Sequence, residues 1–316
     1  MRIVVTGGAG FIGSHVVDTY LRCGHEILVV DDLSTGWRGN VSPRAEFVRT
    51  DIRDRKALAE AFARFRPELV NHHAAQADIR RSLADPVGDA DVNVVGTLIL
   101  LEEAVRAEVR GVLFASSAGM IYGEMPTPAA ETWPKRPTTP YGTAKVAVEH
   151  YLFAYARTRG LEVASLRYGN VYGPRQATKA QSGVVVLFAE AMLASRAPTV
   201  YGDGEQRRDF VAWSDVAQAN LLATDFLLSS PPAPEAPDDR AFNVATGRST
   251  SINELFSLLG GRTDFCAAPL RAAARVGDFA VHRFDVGKAR EVLGFSAKVA
   301  LEEGLDEVIA WLRRER

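Results

Sequence analysis

Tyr141 and Lys145 stand four residues apart in Tyr141-Gly142-Thr143-Ala144-Lys145, with Ser116-Ser117 upstream. On a helix that spacing puts both side chains on one face. A lysine ammonium beside a tyrosine stabilises the phenolate, drawing a group that ionises near pH ~10 toward the range where a general base works best. Ser117, taken ahead of Ser116, can hydrogen-bond the same substrate oxygen and help pass its proton. The spacing alone is unremarkable, and its bland alternative is a solvated helix face with a strand-end serine cap. A second motif gives it meaning: Gly7-Gly8-Ala9-Gly10-Phe11-Ile12-Gly13 directly follows the apolar run Ile3-Val4-Val5. Gly7 permits the tight turn, Gly10 lets the backbone approach a pyrophosphate, and Gly13 lets the next helix pack closely. The N–H groups around Phe11 and Ile12 then face the phosphates. Asp31, with Asp32 beside it, ends the second apolar run, where a carboxylate accepts from a ribose hydroxyl and repels a 2′-phosphate. The expected cofactor is therefore NAD rather than NADP, and the expected chemistry is coupled proton and hydride transfer at a carbinol.

The elements that must hold these groups alternate. Strand-like runs at 2–5, 26–30, 45–49, 68–71, 111–115 and 163–168 are separated by helical stretches such as 91–107 and 141–158. That order predicts an α/β fold, a doubly wound parallel sheet of Rossmann type. Beyond Asn170 the elements shorten, and a smaller C-terminal substrate-binding lobe is expected. The division is residues 1–170 with returning segments about 205–247 for the NAD-binding domain, and about 171–204 and 248–316 for the lobe. The proline-rich stretch 229–239 reads as an exposed connection, since a strand-like run at 241–245 follows at once.

The 316 residues are 47% hydrophobic and 24% charged, with a formal net charge of −2, which gives no electrostatic basis for binding nucleic acid. No apolar run approaches the roughly 20 residues a membrane span needs. The start of the chain has no signal-peptide pattern, so a cytoplasmic protein is expected. Cys23 and Cys266 are expected as free, small, buried thiols. His15, His25, His72, His73, His150 and His282 form no metal-like spacing, so no metal is expected.

Over essentially its whole length the chain resembles the extended short-chain dehydrogenases/reductases, specifically the nucleotide-sugar epimerases and dehydratases. The resemblance implies that Asp51-Ile52 contacts adenine and that His73-Ala74-Ala75-Gln76 is the turn under the nicotinamide half. It implies that Asn93 supports the catalytic lysine, and that Tyr168 and Val171, within Arg167–Arg175, help seat the nicotinamide. On the substrate side it implies Asn170 as a polar contact and Thr199-Val200-Tyr201 as the strand holding the base. Arg208 and the pair Arg275 and Asp278 become diphosphate and ribose contacts. His282 falls near the position that sets pocket width for N-acetyl sugars. A homodimer is implied, built on helices 91–107 and 141–158, with Leu98, Leu101, Val148, Leu152 and Tyr155 available as an outward face.

Within that group, dehydratases and UDP-xylose-forming decarboxylases carry acids just after the catalytic Ser or Thr. Here Ser117 is followed by Ala118-Gly119-Met120, with no carboxylate before Glu124. Fucose-type enzymes use a Cys and a His, and neither cysteine lies near the site. The resemblance thus points to 4-epimerisation of a nucleotide sugar, UDP-glucose and UDP-galactose in first place, through a 4-keto sugar. A 4,6-dehydratase and a non-catalytic NAD-binding regulator stay open as alternatives. One departure is plain: the segment between Ser117 and Tyr122 is one residue longer than in typical galactose-type epimerases.

Overall fold

The computed structural model describes residues 1–125, 127–176, 183–274 and 281–315. Thirteen strands and twelve α-helices follow in chain order: β1 (Arg2–Thr6), α1 (Phe11–Arg22), β2 (Glu26–Asp31), β3 (Glu46–Arg49), α2 (Arg55–Phe65), β4 (Leu69–His72), α3 (Ile79–Ala84), α4 (Pro86–Ala90), α5 (Gly96–Arg106), β5 (Gly111–Ser117), α6 (Ala118–Ile121), α7 (Pro140–Arg159), β6 (Glu162–Tyr168), β7 (Asn170–Tyr172), α8 (Val184–Leu193), β8 (Thr199–Tyr201), β9 (Arg207–Arg208), β10 (Phe210–Ala212), α9 (Trp213–Leu228), β11 (Ala241–Val244), β12 (Thr250–Ser251), α10 (Ile252–Thr263), β13 (Leu270–Ala272), α11 (Gly287–Leu293) and α12 (Leu301–Arg314). Seven of the strands form one sheet in the order β11-β6-β5-β4-β1-β2-β3. Every pairing within it is parallel. The order reverses next to β1, so the C-terminal ends of β1 and β4 flank the crevice where ligands enter such sheets.

Both faces of the sheet are covered. One core packs α1, α9 and α11 against Ile3, Val5, Leu113 and Leu166. The other packs α2, α5 and α7 against Val4, Val70, Val112 and Phe114. A third core joins α8, α10 and α12 around Tyr172, Val200 and Leu255. The apolar strand runs predicted from sequence are all present, with ends moved by one or two residues.

Three expectations change. Leu101, Val148 and Leu152 do not face outward: they are at most 1% exposed and lie between α5, α7 and the sheet. Burying each such side chain contributes about 1.5–3 kcal/mol, which fixes that stripe inward. Leu98 and Tyr155 are half-buried against the same core. Among the described residues the large exposed apolar side chains on α3, α4, the following turn and α7 are instead Ile79, Leu83, Val87, Val95 and Tyr151. The helix expected over 91–107 divides into a π-turn, Asp91–Val95, and α5. The Thr97 hydroxyl donates to the Asn93 carbonyl at 2.6 Å inside that wide turn. Finally, Cys23 and Cys266 are free, as expected, but exposed rather than buried.

The proline-rich stretch is a surface connection, yet a tethered one. Arg240 donates to the carbonyls of Pro231 and Pro232, and Asp239 accepts from the N–H groups of Glu235 and Ala236, both at 2.8 Å. Next to it, Asp238 reaches inward to the fully buried Arg167, 2.7 Å away, and to Lys135.

Candidate active site

A cavity of about 460 Å³ opens at the C-terminal ends of β1, β2, β4 and β5. Gly7, Gly10, Phe11, Ile12 and Gly13 form its floor, Asp31, Asp32, Asp51 and Ile52 one end, and His73, Ala74, Ala75, Gln76, Tyr141, Lys145 and Tyr168 the other. Gly7 sits at φ 68°, and a Cβ there would fall 2.6 Å from the Ala74 nitrogen, so the turn between β1 and α1 requires glycine. Asp31 is 7% exposed and closes the loop by accepting from Ala9 N–H at 3.0 Å and Leu33 N–H at 2.8 Å. Burial raises its pKa above the ordinary carboxylate value. A helix N-terminus facing a cavity, glycines where side chains would intrude, and an acid at the ribose position together fit a dinucleotide.

Tyr141 and Lys145 stand on the first turns of α7. Pro140 starts that helix, and the Thr139 hydroxyl caps it by accepting from Gly142 N–H at 3.1 Å. Lys145 is 4% exposed. Its Nζ donates to the Ala115 carbonyl at 2.8 Å and lies 4.5 Å from the Phe114 ring centre and 5.5 Å from that of Tyr141. Burial pushes its pKa down to about 8, opposed by the charges of Asp89 and Glu149. Burial and the Asp89 charge raise the Tyr141 pKa above its ordinary value. The expectation from sequence was a lowered value; burial and the Asp89 carboxylate set the opposite direction.

The two serines part company. Ser116 is 3% exposed, and its hydroxyl donates to Glu149 Oε1 at 2.6 Å. Glu149 also receives Arg167, through Nε at 3.0 Å and Nη2 at 2.5 Å. Ser117 ends β5, is half-buried, and its hydroxyl has no hydrogen-bond partner among the described residues. The four residues after it, Ala118–Ile121, form the short turn α6. Any side chain on Gly142 would strike the Met120 carbonyl of that turn, so the residue after Tyr141 must be the smallest. His282, 2% exposed, packs over the same turn, its ring 3.2 Å from where a Gly119 Cβ would stand. Burial and Arg208 push it down to about 3, so it is neutral.

The remaining predicted residues are more dispersed. Asn93 lies behind the wall: its Oδ1 accepts from Gln76 N–H and its Nδ2 donates to the Gln76 carbonyl, both at 2.9 Å. Val171 packs against the sheet core and does not line the cavity. His73 Nε2 is 3.1 Å from the Tyr168 hydroxyl, and burial drives its pKa to about 3. Asp51 is held by Arg53, at 2.6 Å, on the exposed rim. Asn170 heads β7, paired in parallel with Phe210. Thr199 and Tyr201 flank Val200, whose side chain is wholly buried in the third core. That leaves only its backbone to meet a ligand. Arg208 is 8% exposed, and its Nη1 donates to the Arg207 carbonyl at 2.9 Å. Its neighbour Asp209 is wholly buried and raised to about 6 by desolvation, and it clamps the Thr246 and Gly247 N–H groups. Arg275 and Asp278 lie outside the described residues. Ser117, the serine expected in the site, does not line the cavity, whereas Val30, Ser34, Thr35, Thr50, Arg53, Ala77, Arg81, Val92, Ala115 and Ser116 also line it and were not expected there. Most are turn or helix positions that no motif marks. A larger cleft of about 1160 Å³, lined by Asn253, Arg290 and Lys298 among others, holds none of the predicted residues. Among the described residues no cluster could hold a metal ion, and no helix is long and apolar enough to cross a membrane.

The UDP-glucose 4-epimerase of Mycolicibacterium smegmatis is 41% identical, the match covering 100% of this chain and 99% of that protein. The crystal structure of UDP-glucose 4-epimerase from Thermotoga maritima with UDP-glucose superimposes with a TM-score of 0.94 at 42% identity, covering 100% and 99% of the two chains. That of the Thermus thermophilus UDP-glucose 4-epimerase complex with NAD does so at 0.91 and 41%, covering 99% of each. The model of the NAD dependent epimerase/dehydratase family matches residues 3–245, and the chain belongs to that family.

Proposed function

We propose that the protein is an NAD-dependent isomerase that inverts C4 of a nucleotide sugar, UDP-glucose and UDP-galactose being the expected pair. The observation that carries this reading is the make-up of the cavity's reactive end. Tyr141 and Lys145 line it, while the turn Ala118–Ile121 that follows Ser117 holds no carboxylate. The carboxylates that do line the cavity, Asp31, Asp32 and Asp51, stand at the adenine end. A C4 hydrogen in a pyranose has no neighbouring carbonyl to acidify it, so simple deprotonation cannot invert the centre. NAD held by the loop Gly7–Gly13 and Asp31 would supply the hydride acceptor and donor that such an inversion needs. Tyr141 accepts the 4-hydroxyl proton and gives it back. Lys145 supports the phenolate, and Ser117 holds the same oxygen. Arg208, with Arg275 and Asp278, retains the nucleotide while the 4-keto sugar turns over. Elimination of the 6-hydroxyl would require an acid that the reactive end lacks.

The second lobe, with its own core, is the sugar-nucleotide side, and the protein works as a homodimer in the cytoplasm. Val95 and Tyr151, 45% and 42% exposed on adjacent elements, support the α5–α7 face as the contact. Replacing both by glutamate should give monomers in sedimentation velocity.

The test of function is proton NMR of the purified protein, without added NAD, on UDP-galactose, UDP-N-acetylgalactosamine and dTDP-glucose separately. Interconversion of a C4 pair is expected and names the sugar. A stable 4-keto-6-deoxy product would assign a dehydratase instead. No turnover even with NAD supplied would favour a regulator that binds the cofactor without using it.

A further inference from the structure

Immediately behind the reactive end lies a carboxylate with no part in the scheme above. Asp89, on α4, is 2% exposed. Its Oδ1 accepts from Gln76 Nε2 at 2.9 Å and Asn93 Nδ2 at 3.1 Å. Its Oδ2 is buried with no hydrogen-bond partner. A buried carboxylate with one oxygen unmatched needs a compensating positive charge nearby. No cation forms an ion pair with it among the described residues, but α4 packs against α7, and α7 carries the buried ammonium of Lys145. The charge of Asp89 is the foremost one acting on both Lys145 and Tyr141. Glu149, the other acid acting on Lys145, already has Arg167 as its counter-ion. Asp89 therefore has Lys145 as its balancing charge and Gln76 and Asn93 as its mechanical contacts, and Gln76 belongs to the turn lining the cavity.

We propose that Asp89 is a positioning residue for the reacting pair: it supplies the counter-charge that keeps Lys145 an ammonium and, through Gln76 and Asn93, fixes the turn on which the cofactor's reactive ring rests. The proposal rests on the proton-transfer role assigned above to Tyr141 and Lys145. One side chain thereby couples the state of the base to the seat of the cofactor.

The surroundings of α4 carry few other charges. Arg80 and Arg81 are on α3, Asp85 caps α4 itself, and Asp91, in the π-turn, is paired with Arg53 at 2.6 Å. On α7 the groups are Tyr141, Lys145 and Glu149. His72 and His73, at the end of β4, are held neutral by burial. Removing the Asp89 charge should therefore act on Tyr141 and Lys145 together and in one direction. The phenol loses its proton more readily, and so does the ammonium.

The experiment compares the holoenzyme with D89N, which keeps the shape, and D89S, which leaves room for a water. The kcat profile against pH should move bodily to lower pH in both variants, by about one unit on each limb, with KM for the nucleotide sugar unchanged. D89E should restore the wild-type limbs. A uniform loss of kcat with both limbs in place would overturn the proposal and leave Asp89 a structural residue. A second readout needs no turnover: the ultraviolet tyrosinate titration, wild type minus Tyr141→Phe, should shift to lower pH in the D89N background. An unmoved tyrosinate titration refutes the proposal even if the wild type proves not to be a 4-epimerase. A moved one with no epimerase activity refutes the assigned reaction alone.

Discussion

Ser116 and Ser117 are neighbours with opposite commitments, and the difference can be read by two substitutions. Ser117→Ala should lower kcat by roughly 10²-fold or more, the scale of a lost proton-transfer partner, with urea stability unchanged. Ser116→Ala takes a donor from the buried Glu149 and should cost about 1–3 kcal/mol in urea unfolding. The reverse pattern would transfer the catalytic role to Ser116. Lys145 sets a pH limit. Its pKa is depressed to about 8, so the ammonium that supports the phenolate is present below that value and lost above it. The kcat of the holoenzyme should fall as pH rises through about 8, read from a pH–rate profile under saturating substrate. That Tyr141, Lys145, Asp31 and the loop glycines share one cavity was legible in the sequence because local spacing and the strand order fix where they stand. Asp89 was not, because its meaning comes from packing α4 on α7, and nothing in a run of Pro-Val-Gly-Asp announces a buried charge.

The turn α6 and the helix α7 press directly on one another at Gly142. Gly142→Ala should push the Met120 carbonyl and the start of α7 apart, displacing Tyr141. The expected result is a fall in kcat of about tenfold or more, since small displacements of reacting groups are costly, with bound NAD retained. Unchanged kcat would mean that α6 yields freely. The same element shows where sequence reading stops. The four residues between Ser117 and Tyr122 were visible in the sequence, but their winding into a helical turn was not. The π-turn at Asp91–Val95 was hidden for a related reason. The apolar spacing runs through it without a break, and the widening comes with Asn93 spending its side chain on the Gln76 backbone. For the same kind of reason α5 and α7, apolar on more than one side, gave no clue which stripe faced the sheet. Leu101, Val148 and Leu152 went to the core, and Val95 and Tyr151 were left outside.

Across the whole molecule, one buried ion network joins parts that the sequence reads separately: Glu149 on α7, Arg167 on β6, and Asp238 from the proline-rich connection. Taking out one partner of such a network leaves charges buried and unmatched. Arg167→Met should therefore destabilise the protein by about 3–5 kcal/mol, measured by denaturant unfolding. A loss under ~1 kcal/mol would mean that Glu149 and Asp238 are readily rehydrated. The layered architecture was legible because strand and helix periodicities alternate so regularly along the first half. The network was not, since Arg167 sits in a strand that reads as plain core and Asp238 in a stretch that reads as spare surface. That tethering limits how the connection can change length. Arg240 grips the carbonyls of Pro231 and Pro232, Asp239 grips the N–H groups of Glu235 and Ala236, and Asp238 must still arrive at Arg167. An insertion can be accommodated only around Ala233, between the two grips. One placed a few residues later would withdraw a counter-ion from the interior beside α7, so a change in a surface loop would reach the helix that carries Tyr141 and Lys145.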